Sequence, residues 1–255
     1  MTRILAVTNQ KGGVGKTTTA LNLGAALAAE GSTTLLIDLD PQASLTAALG
    51  RDPYEAERDA FSVLQAGGVP MHEATVKVDR GLYLLPGSVR LPGGPLEPDE
   101  ALDLPPERLR RLLHRYRLPF DFVLVDTPPT LGRLTVNALA AADELLIPVQ
   151  CQYLAMRGVR ALFERVEKLR QEHNPDLALT GLVATMFDAS SRLDREVLAE
   201  LQSVFGASRV RAVIDRDPLV AEAPAAGRSL IGLYPESPAA KAYQSFAQEL
   251  RHERV

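Results

Sequence analysis

Residues 9–19 read Asn-Gln-Lys-Gly-Gly-Val-Gly-Lys-Thr-Thr-Thr, after the apolar run Ile4–Val7 and before the apolar-periodic stretch Ala20–Ala29. That order is strand, glycine-rich turn, helix. Glycines let successive backbone N–H groups close around an anion, and the following helix N-terminus adds a favourable dipole. A phosphate chain held there would lie against Gly12, Gly13, Val14, Gly15 and Thr18. Lys16 would neutralise its β- and γ-phosphates, and the Thr17 hydroxyl would coordinate Mg²⁺. A plain glycine turn beside two surface lysines is the alternative, and the strand-to-helix setting argues against it. One detail departs from the usual G-x-x-x-x-G-K-[ST] pattern. Gln10 stands where a glycine is normal, and a second lysine, Lys11, follows it.

Outward from this turn, short β-branched or leucine-rich runs alternate with longer helical patterns. The alternation predicts one α/β domain over 1–255, a mostly parallel twisted sheet flanked by helices on both faces, which with the glycine turn of residues 9–19 makes a P-loop NTPase fold. Strands are expected at about 3–8, 33–38, 82–86, 121–126, 144–149, 178–186 and 209–214. Helices are expected at about 16–29, 42–49, 106–117, 133–142, 157–172, 191–204, 218–225 and 238–252. The Pro/Gly-dense stretch 86–106 reads as a long surface excursion, because the strand after it must rejoin the same sheet.

Two strand ends carry acids, and ligands of open α/β sheets bind at that edge. The second strand ends in Asp38-Leu39-Asp40-Pro41-Gln42, and a strand running Phe122–Val125 ends in Asp126-Thr127-Pro128-Pro129. Four apolar residues leading to one acid make a Walker B strand, which puts Asp126 beside Thr17 in the Mg²⁺ shell.

Together, K-G-G-x-G-K-T-T, D-x-D-P-Q and the D-x-P-P continuation resemble the ParA/MinD family of deviant Walker A ATPases. Pro148-Val149-Gln150, Thr185-Met186-Phe187-Asp188 and Ala221-Glu222-Ala223-Pro224 resemble its chromosome-segregation (Soj-like) branch. The resemblance implies a cis lysine, Lys16, and a trans lysine, Lys11, that reaches a partner subunit's nucleotide. Both are then catalytic, together with Asp40, which helps organise the attacking water and the Mg²⁺ shell. Asp38 supports it. Met186, Asp215 and Asp217 fall on the adenine side. The implied cofactors are ATP and Mg²⁺. The implied partners are a second copy of the chain when ATP is bound, a ParB-type centromere-binding protein, and double-stranded DNA bound without sequence preference.

The chain departs from the branch in three places. Gln152, before Tyr153, stands where the branch has Glu. Arg192 lies two positions later than its counterpart, and Leu219 replaces a DNA-contacting arginine. Arg192, Arg195, Arg216 and Arg228 are the arginines that could rebuild a DNA surface. The richest basic run, 108–117, has leucines at helical spacing and reads as a solvated helix face, with a DNA contact as the alternative.

Composition sets the outer limits. With 255 residues, 46% hydrophobic and a net charge of −4, the chain is an ordinary globular protein, not a globally basic nucleic-acid coat. One cysteine, Cys151, fits a reducing compartment and argues against the cluster-bearing relatives, which need cysteine pairs. No long apolar run and no secretory pattern are present, so a cytoplasmic, nucleoid-associated protein is expected. A MinD-like ATPase recruited to membranes by its last helix is a second reading. Its apolar stripe (Ala239, Ala242, Tyr243, Phe246, Leu250) fits core packing better, which predicts no stable membrane association. A third is a nucleotide-gated DNA-binding scaffold with incidental hydrolysis.

Overall fold

A computed structural model describes residues 2–97, 102–116, 119–152 and 155–253. β1 (Arg3–Val7) runs into the glycine turn and α1 (Lys16–Ala29), and β2 (Thr34–Asp38) leads to α2 (Ser44–Ala48). Short helices α3 (Ala60–Leu64) and α4 (Met71–Ala74) precede the hairpin of β3 (Val76–Asp79) and β4 (Leu82–Leu85). Then come α5 (Arg108–Tyr116), β5 (Phe122–Asp126), α6 (Arg133–Ala141), β6 (Glu144–Gln150), α7 (Ala155–His173) and β7 (Ala178–Phe187). The last elements are α8 (Arg192–Phe205), β8 (Val210–Asp215), α9 (Leu219–Ala225), α10 (Leu230–Leu233) and α11 (Pro238–His252).

The strands form one sheet in the order β3-β4-β2-β5-β1-β6-β7-β8, and only β3 runs antiparallel to its neighbour. Parallel strands deliver all their carboxyl ends to one edge, so Val7, Asp38, Asp126, Gln150, Phe187 and Asp215 emerge together. Both faces are covered. Leu35 and Ile37 of β2 pack into one layer and Leu36 into the other; in β5, Val123 and Val125 oppose Phe122 and Leu124. This period-two division in fully apolar strands is what a sheet buried on both sides requires.

α1 lies close against the sheet because Gly24 lets it: a Cβ there would sit 2.5 Å from Leu36 Cδ2. α11 covers α1 from outside, with Ala239, Ala240, Tyr243, Phe246, Ala247 and Leu250 buried. Two arginines clamp its end. Arg3 pairs with Glu144 (2.7 Å) and donates to the Leu250 carbonyl, and Arg211 pairs with Glu253 (2.6 Å) over the Phe246 ring.

All seven expected strands are present, but β3 was not anticipated. It is a four-residue edge strand whose Val-Lys-Val-Asp alternation is too short to stand out in the sequence. α3, α4 and α10 escaped for the same reason: four or five residues make little more than one turn. The excursion reading of 86–106 needs correction. Ser88, Val89, Leu91, Leu102 and Leu104 are buried, so the described parts, 86–97 and 102–106, are pinned into the core at these side chains.

Candidate active site

Gly13 and Gly15 adopt φ of +73° and +87°, the left-handed conformation that glycine takes without strain. Gly15 ends the turn, and no side chain caps the start of α1 behind it. The first helical N–H groups are therefore directed at the space the loop encloses. Neighbouring strands brace the loop. Thr185 of β7 donates its hydroxyl to the Val14 carbonyl (2.9 Å), and Asn9 donates to the Pro148 carbonyl of β6 (2.7 Å).

Lys16 is only 7% exposed, and its ammonium rests 3.3 Å from the Lys11 carbonyl. Burial lowers its pKa, while the nearby charges of Asp126 and Asp40 oppose that shift. Lys11 is placed differently. Its side chain is exposed and its Nζ donates to Gln152 Oε1 at 2.9 Å, on the loop after β6. Tyr153, the next residue of that motif, lies outside the described residues.

The two acidic strand ends meet across the β2–β5 pairing, where Asp38 is in register with Asp126. Thr17 donates its hydroxyl to Asp126 Oδ2 at 2.7 Å, while Asp126 Oδ1 is buried without a partner. Asp38 accepts from the Thr46 amide (2.9 Å), the Thr46 hydroxyl (2.7 Å) and the Asp40 amide (3.2 Å). It therefore braces the loop that carries Asp40. Gly87 closes the other side, where a Cβ would come 2.7 Å from the Asp38 carboxyl. Asp40 accepts from the Gln42 amide (2.9 Å) and borders a cleft of about 470 Å³ shared with Pro128, Pro129 and Arg133.

Burial pushes the Asp38 carboxyl up to about 6, and burial with the nearby Asp38 charge drives Asp126 well above the usual carboxylate range. For Asp38 the folded state thus holds a proton that the unfolded chain releases at about pH 4. The stability tied to that proton is complete below about pH 4 and is lost as pH rises through about 6. Asp38→Asn cannot ionise. Its melting temperature, relative to the parent chain, is expected to rise across this window and level off above it. A difference that stays flat from pH 4 to 8 in calorimetry would contradict the assignment.

Hard oxygen donors, one of them an orphaned buried carboxylate oxygen, fit a Mg²⁺ ion. Among the described residues no cluster of three or more His, Cys, Asp or Glu could hold a metal by itself. Thr17 and Asp126, with Asp40 nearby, would accordingly supply one side of a shell that phosphates and water complete.

The remaining sequence-selected residues divide. Met186, with φ of +54°, and Asp215 stand at the carboxyl ends of β7 and β8, the latter in register with Phe187. Asp217 accepts from the Leu219 amide with one oxygen, and its other oxygen is buried and unpartnered. Arg192, Arg195 and Arg216 gather around the Asp188–Ser191 turn. The Arg216 amide bonds the Phe187 carbonyl, and Arg195 donates to the Ala189 carbonyl. Arg228 does not join them. It donates to the Gly232 carbonyl (2.9 Å), and Gly232 abuts Asp79 of β3, the opposite edge strand. Sequence reading missed Thr46 and Gly87, which bear on Asp38 from eight and forty-nine positions away and belong to no motif.

A P-loop closed around a buried lysine, a hydroxyl on a Walker B acid and a second acid at the adjoining strand end define a nucleoside-triphosphatase site. The "AAA domain" family model matches residues 2–179. The chain is 43% identical to the chromosome-partitioning ATPase Soj of Thermus thermophilus, covering 97% of this chain and 95% of that one. It is 37% identical to the sporulation initiation inhibitor protein Soj of Bacillus subtilis, covering 98% of both. Among solved structures, a Mycobacterium smegmatis protein described as cobyrinic acid a,c-diamide synthase with bound ADP and magnesium superposes with a TM-score of 0.80. It is 37% identical, over 99% of this chain and 95% of that one. The chain belongs to the ParA/Soj family of partitioning ATPases.

Proposed function

We propose that the protein binds Mg-ATP in the loop of residues 12–18 and pairs as a sandwich dimer in which Lys11 of each subunit completes the partner's site. The observation that carries this reading is the contrast between the two lysines. Lys16 is buried beside acids where phosphates would sit, whereas Lys11 of the same loop is exposed, its ammonium donating to the neutral Gln152 amide. Met186, Asp215 and Asp217 line the adenine side. Asp40 orients the attacking water, and its buried neighbours supply fixed charge, so catalysis is positioning and electrostatic stabilisation. Thr17 and Asp126, with Asp40 nearby, would hold Mg²⁺, which would supply positive charge against the charge developing on the phosphates.

In this reading the ATP dimer binds double-stranded DNA without sequence preference through Arg192, Arg195 and Arg216. A ParB-type partner stimulates hydrolysis and releases it, and the protein works in the cytoplasm on the nucleoid. The membrane-recruited reading draws no support from α11, whose apolar stripe is packed on α1 and whose end is clamped by Arg3 and Arg211. No helix among the described residues is long and apolar enough to cross a membrane.

DNA affinity is expected only with ATP, with a log–log salt slope of about −0.9 per phosphate neutralised. Charge reversal of Arg195 and Arg216 together should weaken binding to all sequences equally and leave the ATP dimer intact. Reversal of Arg228, at the far edge of the sheet, should change little. Gel shifts over a salt series check all three; equal loss from Arg228 alone would contradict the assignment.

A further inference from the structure

The basic helix α5 takes no part in the site described above. Leu109 and Leu113 are its buried side, and Arg110, Arg111, His114 and Arg115 are exposed on the other. The pairs 110/114 and 111/115 are i,i+4 neighbours, each about 6 Å apart along the axis, so the four side chains form one compact face. They line a shallow groove of about 540 Å³, whose fifth member, Glu107, pairs loosely with Arg111 at 3.6 Å. Arg110 and His114 also border a larger cleft of about 940 Å³ beside the first residues of β1, β6 and β7. The acids of that cleft include Asp143 and Asp176. Its other arginines, Arg3 and Arg211, are already occupied by Glu144 and Glu253. A concentration of cations on a chain of net charge −4 marks a local surface for a polyanion.

Position decides what it would add. The cleft places α5 at the amino edge of the sheet, whereas Arg192, Arg195 and Arg216 lie at the carboxyl edge. β7 alone, ten residues long, separates those edges by about 33 Å, several Debye lengths at physiological salt. We propose that the arginine face of α5 is a second phosphate-backbone surface, through which the protein holds a second DNA duplex while the carboxyl-edge arginines hold the first. This rests on the DNA-binding reading above and adds bridging to it.

The test uses the full chain with ATP and Mg²⁺ on a surface-tethered duplex, reading protein bound and then capture of a labelled duplex from solution. The parent chain should do both. Arg110→Glu with Arg111→Glu should keep the ATP dimer and binding to the tethered duplex but lose capture at least tenfold, roughly the effect of losing two phosphate contacts. The milder Arg110→Gln with Arg111→Gln pair should show the same direction with an unchanged melting temperature. Arg195→Glu with Arg216→Glu should lose the first binding step instead. Undiminished capture by both α5 variants, or firm binding of one duplex by the parent chain without capture of a second, overturns the bridging role. Absence of any binding by the parent chain overturns the DNA reading itself, and bridging with it.

Discussion

Lys16→Ala is expected to lower ATP affinity by about a hundredfold or more, the equivalent of roughly 3 kcal/mol. Lys16 is the buried cation of the site, with Asp126 and Asp40 both acting on it. Its removal leaves the phosphates beside Asp126 and Asp40 without the lysine that sits between them. A charge-assisted hydrogen bond to phosphate contributes about 1.5–3 kcal/mol, and the repulsion then left uncompensated adds to that loss. Calorimetric titration with a slowly hydrolysed ATP analogue and Mg²⁺ measures it directly. A loss of less than about threefold would mean that backbone amides alone hold the phosphates.

Asp40→Ala is expected to separate binding from turnover. Asp40 as a residue is 8% exposed, and its carboxylate is close enough to Lys16, Asp38 and Asp126 to act on each, yet it supplies neither the hydroxyl nor the Walker B acid that hold the cation. ATP should therefore still bind and the ATP-bound dimer should accumulate, while hydrolysis falls by about a hundredfold or more, the usual contribution of a positioned base. Single-turnover phosphate release with size-exclusion chromatography reads both quantities. Turnover near that of the parent chain would move water activation to another group. Asp38 is poorly suited to take it over, because its two oxygens already accept from Thr46 of α2 and from the Asp40 amide.

The glycine turn and the acidic strand ends were legible in the sequence because each is a local pattern. Residues 12–18 are contiguous, and Asp38, Asp40 and Asp126 end apolar runs that only a buried parallel strand explains. The supporting contacts were not legible. Thr46 and Gly87 reach Asp38 through tertiary packing, and nothing in their flanking residues distinguishes them from any threonine or glycine. The grouping of the four arginines was only partly legible, for a related reason. Arg192, Arg195 and Arg216 converge because β7 and β8 are adjacent, but the chain after β8 crosses the sheet before it reaches Arg228. Edge strand β3 alternates over only four residues, and the pinned segment around Leu91 lacks the periodicity that reveals longer elements.

The claim that each nucleotide site is shared between two subunits is tested most directly by mixing two crippled chains. Lys11→Ala keeps its own Asp40 but has no lysine to give; Asp40→Ala gives its lysine but cannot activate water. Each alone should hydrolyse ATP at a small fraction of the parent rate. Mixed in equal amounts, half the dimers are mixed and each holds one complete site, so about a quarter of parental turnover should return. If the mixture stays as inactive as its components, Lys11 does not act across the interface, and the shared site is wrong.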